Sequence, residues 1–197
     1  MSEIKELKTV CVYCGSSTKV DQVYLQAARD MGAEIAKSGL GLVYGGGNVG
    51  LMGACANAVL EAGGDVHGII PSHIADKEVE HKGLTRLDVV DTMHERKQMM
   101  VDHADAFIIL PGGLGTMDEF FEIMTWKQLG LHDKPILVVN IAGYWDHLMM
   151  LIDTLVAKGF ARQVDKDMLI VVDEVDEVVD ALNTAPRETV SPQSKWI

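Results

Sequence analysis

Seven short apolar runs punctuate the chain: VCVYC (10–14), GLVYG (41–45), DVHGII (65–70), RLDVVD (86–91), AFIIL (106–110), PILVVN (135–140) and MLIVVD (168–173). They are too short for helices, rich in Val and Ile, and continuous rather than alternating, the mark of strands covered on both faces. Between them apolar residues recur at helical spacing over 20–38, 49–62, 93–103, 115–129, 144–158 and 174–183. Strands alternating with helices predict an α/β fold: a Rossmann-like, doubly wound parallel sheet with helices on both faces. No linker or repeat divides the pattern, so residues 1–183 read as one domain. The stretch TAPRETVSPQSKWI (184–197) has no period and reads as an irregular tail, with Trp196 placed to pin it.

In such sheets ligands bind outside the carboxyl ends of the strands, and the unusual residues of this chain fall there. Pro111-Gly112-Gly113-Leu114-Gly115-Thr116 follows the fifth run and opens a helix. Its glycines let the backbone come close to a ligand, the free N–H groups of the helix start favour an anion, and Thr116 adds a hydroxyl. The competing reading is a tight turn that binds nothing. Gly45-Gly46-Gly47-Asn48-Val49-Gly50 fits G-x-G-x-x-G, which suggests a dinucleotide site. It follows the second strand rather than the first, however, and Asp65 stands at the start of a strand, whereas a ribose-binding acid belongs at the far end. Close packing of helix on strand is the alternative there. Gly15-Ser16-Ser17, after the first strand, suits phosphate or ribose contacts as well as an ordinary turn. Loops after strands 1, 2 and 5 together can line one nucleotide-sized pocket.

Two charged groups complete the candidate site. Met93-His94-Glu95-Arg96-Lys97 follows the fourth strand, and Arg96 carries the planar fork that holds phosphate or carboxylate; a solvated first helical turn is the plain alternative. Asp118 and Glu119 lie in the first turns of the helix that follows Gly115. Acids there complement the helix dipole, yet spare negative charge is ill placed beside an anion site. Glu119 shares a side with Thr116 and Glu122, and Asp118 lies about 100° round. That marks Glu119 as the catalytic candidate. Arg96 and Glu119 are expected to converge from neighbouring loops after strands 4 and 5.

Composition narrows the partners. Across 197 residues the net charge is −12, so nucleic acid and an anionic membrane are poor partners, while backbone N–H groups can still bind one small phosphate. No apolar run approaches the roughly 20 residues of a membrane span, and the N-terminus has no apolar leader core. Three cysteines without an export signal predict a reducing, cytoplasmic location. Cys11 and Cys14 form C-x-x-C, but residues three apart on a strand face opposite ways, so they are not read as a redox pair. The seven histidines show no H-E-x-x-H spacing and no G-x-S-x-G is present, so neither a metal site nor a serine hydrolase is predicted. Residues 120–126, FFEIMTW, are apolar on more than one side, which predicts a homodimer burying part of that helix.

The blocks VCVYCGSS, LVYGGGNVGLMG, GIIP, HKGLT, MHERK, PGGLGTMDE and TWKQLGLH resemble the LOG (Lonely Guy) family of cytokinin-activating phosphoribohydrolases, long labelled lysine decarboxylases. The resemblance covers nearly the whole chain. It implies a Rossmann-like dimer that binds a nucleoside 5′-monophosphate at PGGLGT, with Arg96 and Glu119 as the catalytic pair. It implies release of an adenine-type base, N6-modified or not, leaving ribose 5-phosphate, with no metal and no organic cofactor. On this reading 1–183 is one nucleotide-binding catalytic domain. Its substrate-binding residues are Gly15, Ser16, Gly45, Gly46, Gly47, Asn48, Met93, Lys97, Pro111, Gly112, Gly113, Gly115 and Thr116. One departure is visible: Asp118 stands where the family commonly has Glu.

The chemistry agrees. Breaking an N-glycosidic bond develops an oxocarbenium-like ribose, which a carboxylate can stabilise while it orients water. Arg96 could fix the phosphate, orient Glu119 or assist the leaving base, and the sequence does not choose. A carrier of the same fold, holding a nucleotide or the molybdenum cofactor without hydrolysis, is the alternative. A decarboxylase would need a Schiff-base lysine, and no lysine stands in a recognisable context for one.

Overall fold

The computed structural model describes residues 6–78 and 80–186. Its seven strands are β1 (Thr9–Tyr13), β2 (Gly41–Tyr44), β3 (Val66–Pro71), β4 (Arg86–Val90), β5 (Ala106–Ile109), β6 (Ile136–Val139) and β7 (Leu169–Val172). They form one sheet in the order β4-β3-β2-β1-β5-β6-β7, every pair parallel. The chain steps outward from β1 to β4, then returns to lay β5 on the other flank of β1, pairing Val10 with Ala106 and Tyr13 with Ile109. The β1–β5 seam is therefore the point where strand order reverses, and in such sheets ligands bind outside the carboxyl ends of the strands at that point.

The helices are α1 (Gln22–Lys37), α2 (Gly50–Glu61), α3 (Ser72–Glu78), α4 (Met93–His103), α5 (Leu114–Gln128), α6 (Asp146–Ala157), α7 (Gln163–Lys166) and α8 (Val178–Thr184). The two-residue period of β1 divides the core. Val10, Val12 and Cys14 pack with Met31 and Ile35 of α1, Leu51 and Cys55 of α2, and Leu182 of α8. Cys11 and Tyr13 pack on the other face with Met100 of α4, Phe120 and Ile123 of α5, and Ile152 of α6. Cys11 and Cys14 thus lie in different cores, as strand geometry requires. All three cysteines are free thiols.

The return path matters most for the site. After β4, α4 runs back over the sheet, packing on β3, β2 and β1 before β5 begins. Residues at the start of α4 are thereby carried inward from the edge strand.

The predicted strands and long helices stand within a few residues of the observed ones. Short helices α3 and α7, and 3-10 turns at Ile141–Gly143 and Val175–Glu177, have too few turns to register as a period. The predicted tail begins at Thr184, the last residue of α8. From 187 on, with Trp196, it lies outside the described residues. Among the described residues no helix is long and apolar enough to cross a membrane.

Candidate functional site

The loop between β5 and α5 lies against the loop after β1. The Gly15 N–H donates to the Pro111 carbonyl (3.0 Å), and a Cβ at Gly15 would stand 3.3 Å from Gly112 Cα. Gly113 is the N-cap of α5 and offers no side-chain cap; the first turn holds no acid. Met117 is the first residue whose N–H is bonded to the preceding turn, to Gly113 O at 3.0 Å. The N–H groups of Leu114, Gly115 and Thr116 therefore project from the helix end, where the dipole also favours an anion.

The glycines of this loop have different reasons to be there. At Gly112 a Cβ would fall 2.6 Å from Thr116 Cβ and 2.8 Å from its Cγ2, so the chain itself requires glycine. Thr116, 3% exposed, is tucked against that position. At Gly113 and Gly115 a Cβ would meet nothing within 4 Å, and neither has a positive φ. Neither backbone conformation nor internal packing calls for glycine at these two positions, and glycine weakens a helix. Bare backbone facing open space is what the close approach of a ligand requires.

The Gly45–Gly50 loop is different, because its glycines serve contacts within the chain. A Cβ at Gly45 would overlap the Arg96 guanidinium, with Cζ at 3.0 Å. Gly46 turns the chain with φ +78°. Gly50, with φ +60°, lies under the β1 loop: a Cβ there would sit 2.6 Å from Ser16 O and 2.7 Å from Ser17 O. The Leu51 N–H donates to Gly15 O (2.9 Å). The start of α2 is thus plugged by carbonyls of the chain itself, which leaves the N-terminus of α5 as the anion-ready end of the pair. Gly47 bridges to Glu80, and Asn48 Oδ1 accepts from Asn57 Nδ2 at 3.4 Å.

Arg96 is 4% exposed, lodged against Gly45 with its Nη1 3.8 Å from Met93 Sδ. Its neighbour Glu95 is spent on capping: it accepts the Asp91 N–H (3.1 Å) and gives its own N–H to Thr92 Oγ1 (3.1 Å). Arg96 does not arrive by the expected route. β4 and β5 are not neighbours in the sheet; α4 carries Arg96 across β3 to the end of β2. Burial raises the Cys11 thiol pKa, Glu119 raises it further, and Arg96 lowers it. Burial, the Cys11 thiol and then Glu119 raise the Tyr13 phenol pKa in the same way. Both charges thus act on the buried Cys11 thiol of β1.

Lys97 is buried and spans α4 and α5, with Nζ 3.2 Å from Asp118 Oδ2 and 3.0 Å from Glu122 Oε1. Burial lowers its pKa, but the bonds to Glu122 and Asp118 outweigh that and raise it. Asp118 is 61% exposed on its side chain and holds the outer end of this clamp.

Two groups went unnoticed in the sequence. The Tyr144 hydroxyl, from the loop after β6, donates to Gly112 O at 2.7 Å. His81 accepts the Gly83 N–H at Nδ1 (3.1 Å), so Nε2 carries the proton given to Asn57 Oδ1 (3.0 Å), and its N–H donates to Gly46 O (3.1 Å). This fastens the 80–83 segment over the Gly45–Asn48 loop. Only the strand order, with β6 beside β5, would have singled out the loop bearing Tyr144. Among the described residues no group of three or more His, Cys, Asp or Glu could hold a metal ion.

Residues 52–182, more than half the chain, match the family model described as "Possible lysine decarboxylase". A cytokinin riboside 5′-monophosphate phosphoribohydrolase of Rhodococcoides fascians is 45% identical over 178 residues, covering 90% of each chain. One of Arabidopsis thaliana is 42% identical over 191 residues, 96% of this chain and 84% of that one. The chain belongs to the LOG family. In architecture this LOG-family chain is similar to the molybdenum cofactor carrier protein of Chlamydomonas reinhardtii. That match has a TM-score of 0.70 at 19% identity and covers 89% of this chain and 96% of the carrier. A molybdenum cofactor binding protein of Rippkaea orientalis gives 0.70 at 20% identity, covering 91% and 98%. These two likenesses speak to the fold alone.

Proposed function

We infer that this LOG-family protein hydrolyses the N-glycosidic bond of adenosine 5′-monophosphates, with or without an N6 substituent, giving the free base and ribose 5-phosphate. The observation that carries the reading is the bare backbone of Gly113 and Gly115 at an uncapped helix start, one turn before Glu119 on the same helix. The relatives' names supply the substrate class. The phosphate sits on the N–H groups at the start of α5, and this remote binding energy places the ribose. As the C1′–N9 bond breaks, its electron pair leaves with the base and positive charge grows on the ribose. The Glu119 carboxylate offsets that charge and orients water. Water adds its oxygen to C1′ and gives up a proton, the base takes one up, and the carboxylate holds a proton only in transit. Arg96 supplies a fixed, buried positive charge from the end of β2, against Gly45.

Lysine chemistry is disfavoured at this site. Lys97 is held as an ammonium by Asp118 and Glu122, the wrong state for a Schiff base. We further propose that residues 1–183 form one catalytic domain and that the protein works as a homodimer in the cytoplasm. Phe121 stands exposed on α5 beside the buried Phe120, which supports burial of this helix against a second copy. Three free thiols suit a reducing compartment.

The test is incubation of the pure protein with AMP and with its N6-isopentenyl analogue, followed by chromatography. Equimolar base and ribose 5-phosphate are expected. Intact nucleotide, or release of phosphate in place of base, would overturn the reading.

A further inference from the structure

We propose that Tyr144 is the positioning residue of the phosphate loop, fixing the Gly112–Gly113 peptide so that its N–H faces the ligand; this rests on reading 111–116 as the phosphate site. The peptide bond is planar and trans, and the structure holds no cis bond among its described residues. The N–H of Gly113 therefore points away from the carbonyl of Gly112, and whatever holds that carbonyl aims the N–H. Tyr144 holds it, its hydroxyl donating at 2.7 Å. The carbonyl one residue earlier, Pro111 O, is held by the Gly15 N–H at 3.0 Å. With both acceptors turned toward donors of the protein, the N–H groups face outward. Two successive glycines are the pair most free to flip, and a flip would aim an oxygen at the phosphate.

The turn that presents Tyr144 is costly and well braced. Ala142, at φ 53°, is the one non-glycine with positive φ among the described residues, and Gly143 follows at φ 72°. Asn140 ties the turn down: its Oδ1 accepts the Trp145 N–H (2.7 Å) and its Nδ2 donates to Asp146 Oδ1 (2.8 Å). The Gly143 N–H closes on Asn140 O at 3.0 Å. Tyr24 of α1 meets the Tyr144 ring edge-on, centroids 5.3 Å apart, and Trp145 does so at 4.8 Å. The same turn seats Ile141 and Trp145 in the core and leaves Tyr144 40% exposed, held out toward the phosphate loop.

Tyr144→Phe keeps the ring and removes only the donor. The KM for AMP and the inhibition constant of ribose 5-phosphate should rise together by ~5-fold, the scale of one hydrogen bond. kcat should stay within about twofold and inhibition by free adenine should be unchanged, while the melting temperature should fall by no more than the few degrees one hydrogen bond is worth. An unaltered ribose 5-phosphate constant, or equal weakening of adenine, overturns the proposal. Gly115→Asp is run in parallel. If it abolishes ribose 5-phosphate inhibition while Tyr144→Phe does nothing, only the Tyr144 assignment falls. If Gly115→Asp leaves inhibition intact, the phosphate-loop reading falls, and the Tyr144 proposal with it.

Discussion

Replacing Gly115 with alanine should make the protein more stable and less active at once. Gly115 is the second residue of α5, and a Cβ there meets nothing within 4 Å. With no clash, alanine gains what it gains in any helix, about 0.4–1 kcal/mol. For a chain of this length that is a rise in Tm of about 1–4 °C. The added methyl occupies the space that the phosphate is proposed to approach. Losing one hydrogen bond to an ionised group costs about 1.5–3 kcal/mol, or roughly 10- to 150-fold in kcat/KM. Gly112→Ala is the mirror case. Its Cβ would lie 2.6 Å from Thr116 Cβ, so overpacking of about 1–3 kcal/mol should lower Tm. Both variants are read by thermal denaturation and by adenine release from AMP. A Gly115→Ala protein with higher Tm and unchanged kcat/KM would show that the open backbone serves no ligand.

Glu119→Gln keeps shape but removes charge and should lower kcat by at least ~100-fold, whereas Asp118→Asn should keep most activity because it only loosens the exposed end of the Lys97 clamp; equal small losses in base release would remove Glu119 from the mechanism. Gly45→Ala should reproduce the activity loss of Arg96→Ala, since its Cβ would take the guanidinium's place; a fully active Gly45→Ala enzyme would sink that role for Arg96. Buried His132 donates from Nε2 to Ile123 O (2.9 Å) and accepts Lys134 N–H at Nδ1 (3.2 Å), and burial lowers its pKa from 6.5 to about 4. The unfolded chain takes up that proton below pH 6.5 but the folded chain only near pH 4, so stability is full above 6.5 and falls by up to about 3 kcal/mol across that window. Denaturant titrations of His132→Asn should show a shallower decline between pH 6.5 and 4, and a slope equal to that of the parent would refute the assignment.

The strand–helix alternation was legible because strands buried on both faces leave continuous Val and Ile runs, and helices of three turns leave a period. The strand order was not. No residue in β5 says that it will pair with β1, so the path by which α4 brings Arg96 against Gly45 could not be read. Glycine patterns proved informative only about short distances. Gly45 and Gly50 approach Arg96 and the β1 loop, while Gly113 and Gly115 approach nothing in the chain, and the two cases look alike in one dimension. Lys97, expected at the ligand, is bound to Asp118 and Glu122, partners 21 and 25 residues away that only the packing of α4 on α5 brings close. Tyr144 carried no motif at all.

The strand order also bears on how the protein comes into being. β1 through β4 can pair as they leave the ribosome, each beside its predecessor, but the β1–β5 seam joins residues about a hundred positions apart, as in the Asp105 carboxylate that accepts the Lys8 and Thr9 N–H groups. Contacts of such long separation are slow to form and are rewarded only after loop closure. The candidate site lies on that seam, with Arg96 made before β5 and Glu119 after it. Catalytic competence therefore cannot arise before β5 and the start of α5 have been made, and a nascent chain stopped before β5 holds a half-sheet with a strand edge exposed and no site. Cutting the chain between α4 and β5 should yield two fragments that are each inert and that regain turnover only on reassociation.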